Sequence, residues 1–247
     1  MDIKKISEKN NVLKIIVSGM DTPLLNSLRR IIMNAVPSYA AENIDIYENS
    51  SIMADEMLAH RIGLLPIQVN EKKIKKKDSI KLSLEKEGPG MVYSSDISPP
   101  SKDVKIMQDK IPLVKLKKDQ KVKMEIEITV GTGKEHAKWQ PALIAYKQVP
   151  KVTFSNIKDP NAFVKQFHPH ELEVKASKVF MVDPANSRLI GLLQEKFPNE
   201  VEVDYDTKSF VVTIESLQGT SNKEILLQGL KVLGEKNQAF KEAIQKS

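Results

Sequence analysis

No cysteine occurs anywhere in the 247 residues of this chain. That excludes disulfides, thiolate nucleophiles and every cysteine-ligated metal or iron–sulfur centre, and it fits a reducing compartment. Aromatic residues are scarce at 5%, with a single tryptophan, so burial must rest on Ile, Leu and Val. No apolar run approaches the ~20 residues that span a bilayer, and Met1-Asp2-Ile3-Lys4-Lys5 lacks the apolar stretch of a secretory signal. A soluble, cytoplasmic protein is expected. Neither His-Glu-x-x-His nor Gly-x-Ser-x-Gly occurs. Charge of one sign is not in large excess: 38 Lys and Arg against 32 Asp and Glu leave a net +6, weak support for nucleic acid nearby. The basic run Lys72-Lys73-Ile74-Lys75-Lys76-Lys77 contains no aromatic residue and reads as a solvated loop.

What is present is an ordinary globular composition, 40% hydrophobic and 28% charged, in a chain long enough for two or three compact units. The most informative stretch is Asp21-Thr22-Pro23-Leu24-Leu25-Asn26-Ser27-Leu28-Arg29-Arg30-Ile31-Ile32-Met33-Asn34-Ala35-Val36-Pro37. Its start and stop predict a helix, with Thr22 as N-cap, Pro23 at the first helical position and Pro37 as terminator. Leu24, Leu28, Ile31 and Ala35 recur on one face, widened by Leu25 and Ile32. Arg29 and Arg30 break in at its edge. By pattern alone this is either a core helix with two solvated arginines or an interface helix.

Further along, Val12–Val17 and Ile44–Glu48 read as strands. Ala54, Leu58, Arg61, Ile62 and Leu65 mark a second helix closed by Pro66. Ile80–Leu84 and Val122–Ile128 alternate strictly, as half-buried strands do. Gly131-Thr132-Gly133-Lys134 is not a phosphate loop, because its spacing does not fit Gly-x-x-x-x-Gly-Lys-[Ser/Thr]. It reads as a tight turn, with Trp139 anchoring the loop on the sheet. His168-Pro169-His170-Glu171-Leu172-Glu173-Val174 parallels Phe197-Pro198-Asn199-Glu200-Val201-Glu202-Val203, an internal repeat. Each copy is expected to continue through a polar turn into an apolar strand, Val179–Val182 and Phe210–Val212. His168 and His170 make a pair on an expected strand edge, but zinc usually wants three or four ligands. Asp55-Glu56 and Glu125 with Glu127 read as solvated carboxylates. Ser221-Asn222-Lys223-Glu224 is a capping box opening a last helix with Leu226, Leu230, Leu233, Phe240 and Ile244 on one face.

Four of these segments, in order, carry a resemblance. They are Asn26-Ser27-Leu28-Arg29-Arg30-Ile31-Ile32 with Val36-Pro37; Asp55-Glu56-Met57-Leu58-Ala59-His60-Arg61 leading to Leu65-Pro66-Ile67; Gly131-Thr132-Gly133-Lys134-Glu135-His136-Ala137-Lys138-Trp139-Gln140-Pro141; and Ile214-Glu215-Ser216-Leu217-Gln218-Gly219 followed by Glu224-Ile225-Leu226. Together they resemble the alpha-like subunits of DNA-directed RNA polymerase over nearly the whole chain. The likeness is greatest to the archaeal branch of that family, the counterpart of the third-largest eukaryotic polymerase subunit.

The resemblance implies an α+β fold: a discontinuous dimerisation domain (1–46 plus 207–247), an inserted strand-rich domain (47–154) and a ferredoxin-like unit (155–206). Some family members carry iron–sulfur clusters in that unit. Here the ligand positions fall on Lys158, Asn161, Val164 and His168, and on Ser187, Ile190, Leu193 and Phe197. None is a thiolate, so no cofactor and no metal are expected, and Ile190, Leu193 and Phe197 are expected to fill the space. A chance repeat in an unrelated α/β insertion is the alternative.

The implied function is non-catalytic assembly within DNA-directed RNA polymerase, a nucleotidyltransferase whose aspartate triad lies on its largest subunit. The expected partners are the small alpha-like subunit L, subunits N and P, and the two large catalytic subunits, with DNA met only through the complex. The expected seam is Leu24, Leu28, Ile31, Ile32, Ala35, Leu226, Leu230 and Leu233, and Arg29 and Arg30 are expected to meet the large subunits. Competing readings are a stand-alone ferredoxin-like metal or electron-transfer protein and a homodimeric nucleic-acid-binding protein.

Overall fold

The apolar periodicities become strands and helices along most of the chain in the computed structural model, which describes residues 1–70, 80–167 and 170–246. In chain order these are β1 (Asp2–Lys9), β2 (Val12–Ser18), α1 (Thr22–Ala35), β3 (Pro37–Asn49), α2 (Asp55–Gly63), β4 (Ile67–Val69) and β5 (Ile80–Glu87). There follow β6 (Gly90–Tyr93), β7 (Ile97–Ser98), β8 (Val104–Ile106), β9 (Pro112–Leu116), β10 (Lys121–Thr132) and β11 (Ala142–Phe154). Then come α3 (Pro160–Val164), β12 (Leu172–Lys175), β13 (Lys178–Met181), α4 (Ile190–Lys196), β14 (Val201–Ser216) and α5 (Asn222–Lys246). The lysine run 72–77 and His168 lie outside the described residues.

The chain divides into two compact units. One takes Met1–Glu8, Leu13–Asn26 and Ala145–Thr213; the other takes Lys9–Val12, Ser27–Ile144 and Ile214–Ser247. The fold is mixed, with sheets predominating over helices.

The first unit holds most of a four-stranded sheet of order β1-β2-β14-β11. Beside it a small core of Phe163, Leu172, Val179, Met181, Leu193 and Val201 is buried. The rings of Phe163 and Phe197 meet edge-on at 5.0 Å, and Phe167 lies 5.3 Å from Phe163, distances at which aromatic pairs attract beyond their buried area. Asp159 caps α3 by accepting from the Asn161 and Ala162 N–H groups at 3.0 and 3.1 Å.

The internal repeat is seen in its first copy, where Ala176 and Ser177, both at positive φ, reverse the chain between β12 and β13. The second copy departs from expectation. No turn follows Val203, and β14 runs unbroken for 16 residues. β2 and β11 flank it on both sides, and ladder bonds hold even the polar stretch 204–209 extended. His170, expected on a strand edge, sits in a turn at φ 84° instead.

The second unit is organised by the antiparallel sheet β3-β10-β5-β7. β10 pairs with β3 and β5 so that Ile126 stands between Ile44 and Leu82. The strict alternation read along β10 puts Met124, Ile126 and Ile128 inward with Leu82 and Leu84, all at most 1% exposed. Leu58, Ile62 and Leu65 of the α2 segment close that core. The outer face is a ladder of charge. Lys81 reaches Glu125 at 2.8 Å, and Lys121 lies between Glu85 and Glu87 at 2.9 and 3.0 Å. Hydrogen bonds to Glu85 and Glu87 push the Lys121 ammonium above its ordinary range. No described helix is long and apolar enough to cross a membrane.

Candidate functional site

α1 begins one residue earlier than its sequence predicts. The Leu25 N–H donates to the Asp21 carbonyl at 3.1 Å, so Asp21 stands at the cap, and Thr22 and Pro23 open the helix. Proline there still costs nothing, because its missing donor would have no intrahelical partner. At the other end the Val36 N–H reaches the Ile31 carbonyl at 3.1 Å, and Pro37 starts β3.

The Gly131–Pro141 loop supports this second end. The Lys134 N–H donates to the Asn34 carbonyl at 3.0 Å, satisfying an orphan acceptor of the last turn. Gly133 passes so close that a Cβ would lie 1.9 Å from the Met33 carbonyl oxygen. Gly131 is required for a different reason, since the Trp139 ring fills the space its Cβ would occupy, at 2.4 Å. Trp139 is buried and its Nε1 donates to the Thr129 carbonyl at 3.3 Å. Lys138 lies over the indole at 4.4 Å and donates to the Ala41 carbonyl at 2.9 Å. The anchoring role expected of Trp139 is therefore seen, and the loop's second task, holding α1, is added to it.

α5 crosses α1 at Gly229. A Cβ there would lie 2.3 Å from Cγ1 of Ile32 and 3.5 Å from Leu28, so only glycine permits this approach. Ser221 caps α5, its Oγ accepting from the Glu224 N–H at 3.2 Å, one half of the expected capping box. Asn222, 4% exposed, donates to the Asn11 carbonyl at 3.0 Å and fixes the first turn.

The residues expected to form one seam divide between two faces. Leu28 and Ile32, at 8% and 0% exposure, are buried where Gly229 of α5 approaches. Leu24 is 49% exposed, and Ile31 and Ala35 are half-buried on the outward face. On α5, Leu230 is 50% exposed while Leu226 and Leu233 are half-buried. Leu227, Phe240 and Ile244, exposed at 57%, 67% and 58%, extend the outward apolar surface. The helical spacing had already placed Phe240 and Ile244 on that stripe, whereas Leu227 had no signal. Arg29 is half-buried with Nη1 3.7 Å from Met33 Sδ, and Arg30 is exposed.

Elsewhere the chemistry is structural. Arg61 donates to the Pro112 carbonyl and ties α2 to β9. A polar groove of about 680 Å³ between Tyr39, Val69, Lys105 and Gln218 holds no histidine. No group of three or more metal-ligating side chains is found among the described residues. The residues at the ferredoxin-like ligand positions do not fit an iron–sulfur cluster. None offers a thiolate, and Leu193, fully buried, packs with Ile190 and Phe197 in the first unit's core.

Known proteins match this sequence along nearly its whole length. The family model described as the RNA polymerase Rpb3/RpoA insert domain matches residues 44–146, the span from β3 into β11. DNA-directed RNA polymerase subunit Rpo3 of Thermococcus kodakarensis is 32% identical, with 97% of this chain and 96% of that relative covered. The subunit of that name from Methanobrevibacter smithii is also 32% identical, over 97% of each chain. That of Pyrococcus furiosus is 29% identical over 100% of this chain and 98% of its own.

The chain belongs to the archaeal RNA polymerase subunit Rpo3 family. The full-length matches to Rpo3 proteins include α1 and α5, which lie outside the insert-domain span. Membership in the Rpo3 family makes this a polymerase subunit, and nothing in these likenesses supports a stand-alone ferredoxin-like protein.

Proposed function

We propose that this chain is the non-catalytic assembly subunit of an archaeal DNA-directed RNA polymerase. It pairs with the small alpha-like subunit L through the outward residues of α1 and α5. That pair is the platform on which the two large catalytic subunits and subunits N and P assemble. Phosphodiester chemistry belongs to the large subunits, and this chain contributes none of the reacting groups and carries no iron–sulfur cluster or other cofactor. The discontinuous dimerisation domain of 1–46 plus 207–247, the insert of 47–154 and the ferredoxin-like unit of 155–206 are part of the same reading.

One observation carries it. Two helices that meet at Gly229 carry apolar side chains the chain leaves open, Ile31 of α1 half-buried and Leu230, Phe240 and Ile244 of α5 exposed. Exposed apolar side chains gathered on packed helices mark an interaction site. Co-expression with subunit L followed by size-exclusion chromatography tests the reading. Co-elution in one-to-one ratio is expected; separate elution of two well-folded chains would remove the heterodimer from the proposal.

A further inference from the structure

The C-terminal helix carries a second pattern beyond its apolar stripe. Leu226, Leu230, Leu233, Asn237, Phe240 and Ile244 are spaced 4-3-4-3-4, the a and d positions of a heptad repeat. Leu230, Asn237 and Ile244 take a; Leu226, Leu233 and Phe240 take d. From Glu235 onward every described residue of α5 is exposed. The positions flanking the seam, e and g, then fall on Leu227, Gly229, Gly234, Lys236, Lys241 and Ala243. The flanking charges are all positive. The acidic residues of this stretch lie on the opposite face and are engaged there: Glu235 with Lys231 at 3.9 Å, and Glu242 with Gln238 at 2.8 Å. Lys236 and Lys241 form no ion pair among the described residues.

This charge pattern distinguishes between partners. In a parallel pair of identical helices, the g residue of one chain meets the e residue five positions on in the other. Lys236 would face Lys241 of the second copy, twice over by symmetry. Asn237 alone would permit such a pair, since asparagine at a matched a position favours a parallel dimer. The lysines oppose it. Glycine at 234 adds to the case for an outside partner. A mid-helix glycine costs ~1 kcal/mol relative to alanine, and within this chain nothing lies within 4 Å of its missing Cβ.

We propose that Lys236 and Lys241 select the partner at this seam, rejecting a second copy of the chain and accepting a helix from a different chain whose apolar stripe is flanked by Asp or Glu. The inference rests on the heterodimer reading and names the chemistry of the occupant. A seam of two exposed heptads is short, so its flanking charges decide between partners more than its apolar area does.

A charge reversal tests it through a gain of association. Lys236→Glu places Glu opposite Lys241 of a second copy and turns both repulsive pairs into attractive ones. The self-association constant of the isolated chain, measured by sedimentation velocity, is expected to tighten on the order of tenfold. Lys236→Glu/Lys241→Glu restores like charges and is expected to return it toward wild type. Adding Phe240→Asp to Lys236→Glu should abolish the gain. In the second arm, Lys236→Glu is expected to weaken pairing with purified subunit L severalfold, the loss shrinking as salt rises. If Lys236→Glu leaves self-association unchanged, or the double variant behaves like the single one, the selection role is overturned. If wild type fails to bind subunit L, the heterodimer reading falls, while the self-association series still decides the role of the lysines.

Discussion

Leu28 and Ile31 are three positions apart on α1 and part of the same apolar pattern, yet they face different surroundings. Leu28 is enclosed in the chain's own core, whereas Ile31 is half-buried on the outward face. A carboxylate forced into an apolar core costs several kcal/mol unless it is paired. Leu28→Asp is therefore expected to unfold the isolated chain, seen as loss of a cooperative melting transition. Ile31→Asp is expected to leave that transition within ~1 kcal/mol of wild type and to abolish co-elution with subunit L. At the same scale, Asp96 accepts from Lys86 Nζ at 2.6 Å and from the Tyr93 N–H at 2.7 Å. Burial pushes its carboxyl upward, but these two donors outweigh it and hold the group below its ordinary value. A carboxyl whose pKa is lower folded than unfolded stabilises the fold above the ordinary carboxylate range. That contribution is lost as pH falls through the folded value. Urea unfolding across acidic pH should show a stability decline in wild type that is shallower in Asp96→Asn.

At the scale of elements, much was legible where one surface decides the outcome. The alternation along β10 and the 3.6-residue spacing of α2 each name a face: Met124, Ile126 and Ile128 are buried as read, while on the α2 segment Leu58, Ile62 and Leu65 are buried and Ala54 and Arg61 are exposed. α1 was harder because two apolar stripes overlap on one short helix. Periodicity shows that Leu24, Leu25, Leu28, Ile31 and Ile32 are apolar, but it does not say which of them meets α5 and which meets nothing within the unit. β14 misled for a different reason. Its polar stretch looks like a turn locally, but two flanking strands hold it extended, and that pairing is not written in adjacent residues. The Gly131–Trp139 loop was recognisable as a family marker, while its contact with α1 depends on a fold that no local pattern encodes. That contact is testable. Gly133→Val drives a side chain into the Met33 carbonyl and is expected to cost ~1–3 kcal/mol by overpacking. Hydrogen exchange should rise selectively in peptides covering residues 31–36, the turn the loop holds, with the β10 amides left protected. Uniform loss of protection would instead mean that the loop supports the whole sheet.

At the scale of the molecule, the question is how a polymerase subunit addresses the other subunits of its complex. The two arginines of α1 bear on it directly. Adjacent residues on a helix point about 100° apart, so Arg29 and Arg30 cannot serve one contact. Arg29 lies along its own helix toward Met33, and its stem covers apolar surface while the guanidinium stays near the edge. Arg30 is exposed, leaving its planar fork of donors available for carboxylates or backbone carbonyls of another subunit. An exposed charge adds little to the stability of its own fold, so truncating it should leave the platform intact and alter only what docks there. Arg30→Ala is expected to fold and to pair with subunit L as wild type does, and to recover less of the reconstituted large subunits when the pre-formed heterodimer is used as bait. Arg29→Ala is expected to have the smaller effect, through lost packing on Met33. Equal recovery by both variants and wild type would place the two arginines in solvent and move the large-subunit contact elsewhere on the surface.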